Sequence, residues 1–421
     1  MFDLVIKNGL CLINGNFLRY NIGVEGNRIG YVGKEDIKGE EKINAEGCFV
    51  LPGLFNAHTH SAMTLLRGYA EGLPLKDWLE KVWEMEAKLD EKAVYLGAEL
   101  ACVEMLKSGI TCFADMYIHM DGVARAVEET GIRAVLGYGM ADRGNEDRAK
   151  EELRIAKDFI KRWNGKERIK CILTPHAVYT CSKDFLAKIS EIAKENGFIK
   201  HIHASETLWE VKEAKRRYGM SPIELLDSIG FLDSNTVLAH GVWLSDSDME
   251  LISKSGVSVA HCPSSNLKLS SGIAKVAEML EKGINVCLGT DGAASNNMLN
   301  LFNEMRISAL LQQLRRKFLN PAEYLKMATR NGYMAYGVDG GVIEVGRLAD
   351  LVVMKIDCTH YPLYNPLNSI VFASKGSEVR DVIIDGNIIV EDGLLLRVDE
   401  DKVLEESLKL QENPNYYYEK V

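Results

Sequence analysis

The sequence predicts an α/β fold, a (β/α)8 TIM barrel carrying a small β-sandwich formed from both chain ends. Three observations lead there. The two ends share a texture of short strands and turns. The interior alternates short apolar stretches with charged amphipathic ones. Those interior apolar stretches number eight, which suits a closed barrel better than an open sheet.

At the start, FDLVIKNG, GNFLRYNIGVEGNRIGYVG and KINAEGCFVL alternate apolar and polar residues between Gly and Asn breakers, the pattern of strands joined by tight turns. The texture returns in RLADLVVMKI and RDVIIDGNIIVEDG. Pairing of these ends gives one discontinuous domain, residues 1–50 with 342–421, and leaves 51–341 as the barrel. Within it FVLPGLFNAHTH, ITCFADMY, IRAVLGYGM, IKCILTPHAV, FIKHIHASE, NTVLAHGV, VSVAHCPSS and INVCLGTDG each run from apolar to polar residues. Segments such as EKAVYLGAELACVEMLKSG and SKDFLAKISEIAKENG lie between them and have helical period. Strands that alternate with helices make parallel βα units. The tail, LEESLKLQENPNYYYEKV, reads as a short helix and a polar aromatic end.

Composition narrows the function classes. The chain has 421 residues, 47% of them apolar, enough for a large core. The net charge is -10 and no basic run is interleaved with aromatics, so nucleic acid is not an expected partner. No apolar run approaches the ~20 residues of a membrane span. The start, MFDLVIKNGL, lacks the pattern of a signal peptide, so a cytoplasmic protein is expected. Nine cysteines without a CxxC pair argue against a disulfide scaffold, and most read as small buried hydrophobes. There is no GxxxxGK[ST] loop, GxSxG elbow or HxE…PCxxC signature, which removes phosphate-loop enzymes, serine hydrolases and the other zinc deaminase fold.

The chemistry concentrates at the ends of the apolar stretches. His58 and His60 flank Thr59, and residues two apart on a strand face the same side. In a barrel the C-terminal strand ends carry the active site. An isolated HxH fits two surface histidines equally well. Here His203 closes FIKHIHASE and Asp291 closes VCLGTDG. Three imidazoles and a carboxylate from separate strand ends suit zinc or ferrous iron and leave a position for water. His201 has the same spacing to His203 but sits nearer its strand's start, below the metal or on a packing face. Glu206, three residues past His203, is placed to move a proton without binding the metal; a glutamate favoured by a helix N-terminus is the structural alternative. His240 ends NTVLAH, where it could orient the water or stabilise charge on it. His176 in TPHAV either faces substrate or is a satisfied structural group. Asp115 fits a helix cap as well as a ligand and stays outside the set, as do His119, His261 and His360. Cys262 is the thiol nearest this chemistry.

LPGLFNAHTH, HASE, VLAH, HCPSSNLKL and GTDGAASNN together resemble the amidohydrolase superfamily. More narrowly the chain resembles the methylthioadenosine/S-adenosylhomocysteine deaminases, with the archaeal 5′-deoxyadenosine deaminases among them, over nearly its whole length. The resemblance implies a barrel with a flanking β-sandwich and one divalent metal, zinc first and iron as the alternative, on His58, His60, His203 and Asp291. ILTPHAV lacks the lysine that binuclear members carboxylate, which implies a single metal. Glu206, His240 and Asp291 become the proton-handling groups. Glu86 in WEMEAKL becomes the acceptor for the ribose hydroxyls, with His176 near the ribose or base, Ser295 near the base and Arg148 at the 5′ substituent. Where relatives often carry another arginine this chain has Tyr138, which favours a small 5′ group over a carboxylate-bearing one. The implied activity is hydrolytic deamination of the adenine ring of 5′-modified adenosines to inosine-type products and ammonia. Separately from the resemblance, barrels of this size often associate, so a homo-oligomer is expected. A guanine deaminase or triazine-type chlorohydrolase would use the same cage. A catalytically silent assembly protein on this barrel would be expected to have lost ligands.

Overall fold

The computed structural model describes residues 1–166 and 168–412. Period-two patterning at the two chain ends yields one hydrogen-bonded sheet of nine strands. Phe2–Ile13, Asn16–Glu25, Arg28–Gly33, Gly39–Asn44 and Cys48–Pro52 come from the N-terminal end, and Leu351–Lys355, Val379–Ile384, Asn387–Glu391 and Leu394–Leu395 from the other. The seam is the antiparallel ladder of Cys48–Pro52 against Leu351–Lys355, with Val50 opposite Val353. Leu4, Ile6, Val24, Val50, Val353 and Ile383 pack into a common buried cluster. This sheet runs through Pro52, a little beyond the boundary at residue 50 read from the sequence. Gly53 then turns the chain inward. A Cβ there would lie 2.0 Å from the Thr111 hydroxyl, so no larger residue fits the crossing.

The interior forms two parallel sheets. One holds Leu54–Thr59, Ile110–Tyr117, Arg133–Met140 and the broken strand Ile169–Cys171 with Thr174–Pro175; the other holds Lys200–Ala204, Thr236–His240, Ser258–His261 and Asn285–Leu288. Their edges adjoin on both sides. Leu173 bridges Lys200 and Ala177 bridges His203 in parallel fashion, and the Asp291 N–H donates to the His58 carbonyl at 2.9 Å. Helices cover the outside, so these strands are buried on both faces, which explains their near-continuous apolar runs. Phe55, Cys112, Val135, Ile172, Val237, Ala260 and Cys287, drawn from both parallel sheets, share one inner cluster with Tyr333 and Tyr336. Eight cysteines are buried and free, and Cys358 is exposed. Burial pushes the Cys262 thiol well above its ordinary range, so it packs rather than reacts. Among the described residues no helix is long and apolar enough to cross a membrane. The tail begins with a helix, Glu400–Glu412; the aromatic end lies outside the described residues.

The end sheet is tied to the parallel strands by a buried ion pair. Arg133 donates from Nε to Asp350 Oδ2 at 2.8 Å and from Nη2 to Asp350 Oδ1 at 3.1 Å and Asp385 Oδ1 at 2.6 Å. Asp350 is fully buried and also accepts from the Tyr333 hydroxyl. Removal of one partner from such a pair strands the other charge out of water. Arg133→Met is therefore expected to lower unfolding stability by about 3–5 kcal/mol, read from urea denaturation. A loss below about 1 kcal/mol would match an exposed pair and refute the assignment of a structural tie.

Candidate active site

The parallel strands deliver their terminal side chains to one place. His58 and His60 leave the strand Leu54–Thr59 on the same side, as alternation requires. His203 comes from Lys200–Ala204 and His240 from Thr236–His240. Asp291 follows Asn285–Leu288 in the left-handed region at φ 60°, and His240 is left-handed too, at φ 73°. Non-glycine residues seldom adopt this conformation; here the Asp291 carbonyl is held by the hydroxyls of Thr59 and Thr290, each at 2.9 Å.

The donor atoms converge. His60 Nε2 lies 3.3 Å and His58 Nε2 3.5 Å from Asp291 Oδ1, and His203 Nε2 lies 3.4 Å from His60 Nε2. Ligands about 2.1 Å from a common zinc at tetrahedral angles stand about 3.4 Å apart. His58 Nε2 is fully buried with no hydrogen-bond partner among the described residues, an orphan lone pair of the kind a cation would satisfy. The far nitrogens are fixed: His60 Nδ1 donates to the Met116 carbonyl and His203 Nδ1 to the His176 carbonyl, both at 2.7 Å. Each bond leaves Nε2 unprotonated and aimed inward. Burial lowers His58 to about 4 and holds His203 well below the ordinary imidazole range, so both rings offer lone pairs at neutral pH. Burial alone would raise Asp291, but His58, His60 and His240 hold it well below the usual carboxylate range. The donor set fits a divalent metal.

Glu206 and His240 sit beside this cage. Glu206 Oε2 is 3.8 Å from His240 Nε2, and the Ser271 hydroxyl donates to Glu206 Oε1 at 3.2 Å. Buried Glu210 accepts the backbone N–H groups of Ser205 and Glu206 at 3.0 and 2.8 Å, which sets the turn that aims Glu206. Burial pushes the Glu206 carboxyl up. Burial opposes charge on His240 as well, yet Glu206, Asp291 and the Asn266 amide oxygen, 2.8 Å from its Nδ1, together raise it. The pair thus holds a carboxylate and an imidazole that can exchange proton roles.

A cleft of roughly 330 Å³ opens over these groups, with Glu86, Trp83, Arg143, Arg148 and His176 on its wall, within the size range of small-molecule sites. Glu86 is half-buried; burial raises its carboxyl and the Tyr117 hydroxyl opposes this. His176 has Nδ1 2.9 Å from the Thr180 hydroxyl. Arg148 is half-exposed and spends Nε on Glu152 at 3.1 Å. Ser295, expected near the base, is not on the wall. It is fully buried, and its hydroxyl donates to Asp291 Oδ2 at 2.7 Å, because the helix Ala293–Asn296 turns it back onto the aspartate. Asp115 receives the Ser61 N–H at 3.2 Å and the Ser61 hydroxyl, and so caps the turn after His60. His201 lies behind His58, and His119 is exposed. His360 bonds Ser374 in the other sheet region. Neither His261 ring nitrogen has a hydrogen-bond partner among the described residues.

The model of the Amidohydrolase family matches residues 49–389. The chain belongs to the amidohydrolase family. Among amidohydrolases, 5-methylthioadenosine/S-adenosylhomocysteine deaminase 2 of Archaeoglobus fulgidus is 60% identical over 409 residues, 97% of this chain and 98% of that one. The 5′-deoxyadenosine deaminase of Methanosarcina mazei is 44% identical over 426 residues, 98% of each chain. An adenosine deaminase of Xanthomonas campestris, crystallised with bound zinc, superposes with a TM-score of 0.94 at 30% identity, over 98% of both chains.

Several residues of this amidohydrolase site escaped the sequence reading. Ser265 donates to Asp291 Oδ2 at 2.6 Å and Asn266 orients His240; both stand in HCPSSNLKL, so the signal was present but served only as a family mark. Arg143 places its guanidinium 5.1 Å over the Trp83 ring and has no acidic partner among the described residues. It sits in an irregular loop at φ 51°, where no periodicity marks it.

Proposed function

We propose that this chain is a zinc-dependent deaminase of 5′-modified adenosines, with 5′-deoxyadenosine, 5′-methylthioadenosine and S-adenosylhomocysteine as substrates. The observation that carries it is the convergence of His58, His60, His203 and Asp291 beneath Glu206 and His240, in a chain 60% identical to a methylthioadenosine/S-adenosylhomocysteine deaminase. The zinc of the Xanthomonas campestris enzyme supports that metal over iron. The adjoining parallel sheets support a closed (β/α)8 barrel whose first strand starts at Leu54, and the shared nine-stranded sheet supports a second domain of residues 1–52 and 342–421, two residues longer than the sequence boundary at 50.

His58, His60, His203 and Asp291 would hold the divalent metal, which would supply the Lewis acidity that makes water nucleophilic near neutral pH. Glu206 accepts a proton from the attacking water and delivers it to ring N1, which makes C6 electrophilic. His240, raised against burial by Glu206, Asp291 and Asn266, donates from Nε2 to the oxygen that adds at C6. As the tetrahedral centre collapses, Glu206 takes the C6 hydroxyl proton and passes it to the amino nitrogen, so that the C6–N bond breaks, ammonia leaves and the hypoxanthine carbonyl forms. Glu86 accepts the ribose hydroxyls, and His176 faces the ribose. At the 5′ end Arg143 is the cation free to meet a carboxylate, since Arg148 is engaged by Glu152. That extends the range beyond the small 5′ groups suggested by Tyr138.

The test follows the ultraviolet change from adenine to hypoxanthine across 5′-deoxyadenosine, methylthioadenosine, S-adenosylhomocysteine, adenosine, AMP and adenine. Turnover of the 5′-modified nucleosides with little on AMP or adenine is expected. Silence on all six, with turnover of guanine or a chlorotriazine, would replace the reading. In the same assay Arg143→Met is expected to raise KM about tenfold for S-adenosylhomocysteine and under about twofold for 5′-deoxyadenosine, the loss of one charge-assisted bond. Equal changes would remove Arg143 from 5′ recognition.

A further inference from the structure

Behind the cage lies a buried hydrogen-bonded chain that the proposed reaction does not use. His58 Nδ1 is 3.0 Å from His201 Nε2. His201 Nδ1 is 2.5 Å from the Tyr336 hydroxyl, and that hydroxyl lies 2.6 Å from the Ala57 carbonyl. All three rings are buried to within 1% of full burial. Each of the three links holds one proton, and the links constrain one another. A carbonyl only accepts, so the bond to Ala57 commits the phenolic proton. Tyr336 can then only accept from His201, which must carry its proton on Nδ1. His201 Nε2 is thereby an acceptor, and the proton shared with His58 resides on His58 Nδ1. His58 Nε2 is left bare, in agreement with its lack of any hydrogen-bond partner among the described residues.

The opposite polarity is also chemically consistent. There Tyr336 donates to His201, His201 donates to His58, and His58 turns an Nε2 proton towards Asp291 Oδ1, 3.5 Å away. That state blocks the lone pair and leaves the Ala57 carbonyl unpaired. Ala57 lies where the ladder between Leu54–Thr59 and Ile110–Tyr117 slips register, between Asn56 and Thr59, so its carbonyl takes the phenol in place of a ladder partner. The polarity of the whole chain is thus set at a strand irregularity one residue before His58.

We infer that His201 and Tyr336 are positioning residues that hold His58 in its Nδ1-protonated tautomer, so that its Nε2 meets a metal without first shedding a proton towards Asp291. The metal half of this inference rests on the function proposed above; the tautomer half does not.

Two measurements test it. In metal-free protein labelled with 15N-histidine, His58 is expected as the Nδ1–H tautomer in wild type; an Nε2–H signal would overturn the inference whatever the enzyme's activity. Zinc dissociation constants from competition with a chromophoric chelator supply the second. His201→Phe, which removes the acceptor, is expected to weaken zinc about 10- to 100-fold. His201→Gln, whose amide oxygen can stand near the Nε2 position, is expected to stay within about threefold, and Tyr336→Phe to fall between, within about tenfold. Zinc binding by His201→Phe as tight as wild type, or a His201→Gln variant as weak as the Phe one, would overturn the relay. Wild-type protein that binds no zinc but shows the Nδ1–H tautomer would overturn the proposed function and leave the relay standing.

Discussion

Glu206→Gln is expected to lower kcat/KM by about a hundred- to ten-thousand-fold with bound metal unchanged, the range spanned by removal of a general acid–base group. The substitution is close to isosteric. Its amide oxygen can still accept from Ser271, and the backbone bond from the Glu206 N–H to Glu210 is untouched. What disappears is the ability to take a proton from water and pass it on. A second consequence follows from the electrostatics. Glu206 is the first of the groups that hold His240 up against burial, so its neutralisation favours the uncharged ring and weakens the donor aimed at the developing oxygen. Initial rates on 5′-deoxyadenosine, with metal content by elemental analysis on the same sample, separate this from metal loss. A rate within about tenfold of wild type would remove Glu206 from the proton path.

The sequence exposed the parts of this site that are written locally. HTH, HASE, VLAH and GTDG each place a chemical side chain at the end of an apolar run, and the strand ends bring them together. The Amidohydrolase family match and the relatives' deaminase names agree with the family and activity that those motifs implied. The remainder depends on partners that sequence does not mark. His60 and His203 are oriented by backbone carbonyls of Met116 and His176, and a carbonyl has no residue identity to read. Tyr336 reaches Ala57 across 279 positions, with nothing in YMAYGV to signal it. Ser295 was legible as part of GAASNN but not its direction, because the short helix after Asp291 decides whether the hydroxyl faces the cleft or the carboxylate. The split of FVLPGLF between two sheets turned on Gly53, whose need shows only once Thr111 is seen against it.

Asp291→Ala is the second substitution expected to act at this scale, a loss of about a hundred- to ten-thousand-fold in kcat/KM accompanied by loss of metal. Its two oxygens do different work. Oδ1 faces His58 and His60 and takes the Gly292 N–H at 2.8 Å. Oδ2 accepts from Ser265 at 2.6 Å and Ser295 at 2.7 Å, bonds that fix the plane of the carboxylate. Alanine removes the anion among the four proposed ligands and leaves the buried Ser265 hydroxyl without that acceptor, while Ser295 retains the Gly292 carbonyl at 3.0 Å. Asp291→Asn distinguishes ligation from charge. Its carboxamide keeps the size and can turn an oxygen to either side, but not to both, so it can satisfy the metal or the serines. Zinc added in excess is expected to refill the Asn variant without restoring its rate, because one of the two carboxylates that raise His240 against burial is gone. Full recovery with zinc would reduce Asp291 to a ligand alone. An Ala variant that retains both metal and rate would place the metal away from Asp291 and overturn the cage itself.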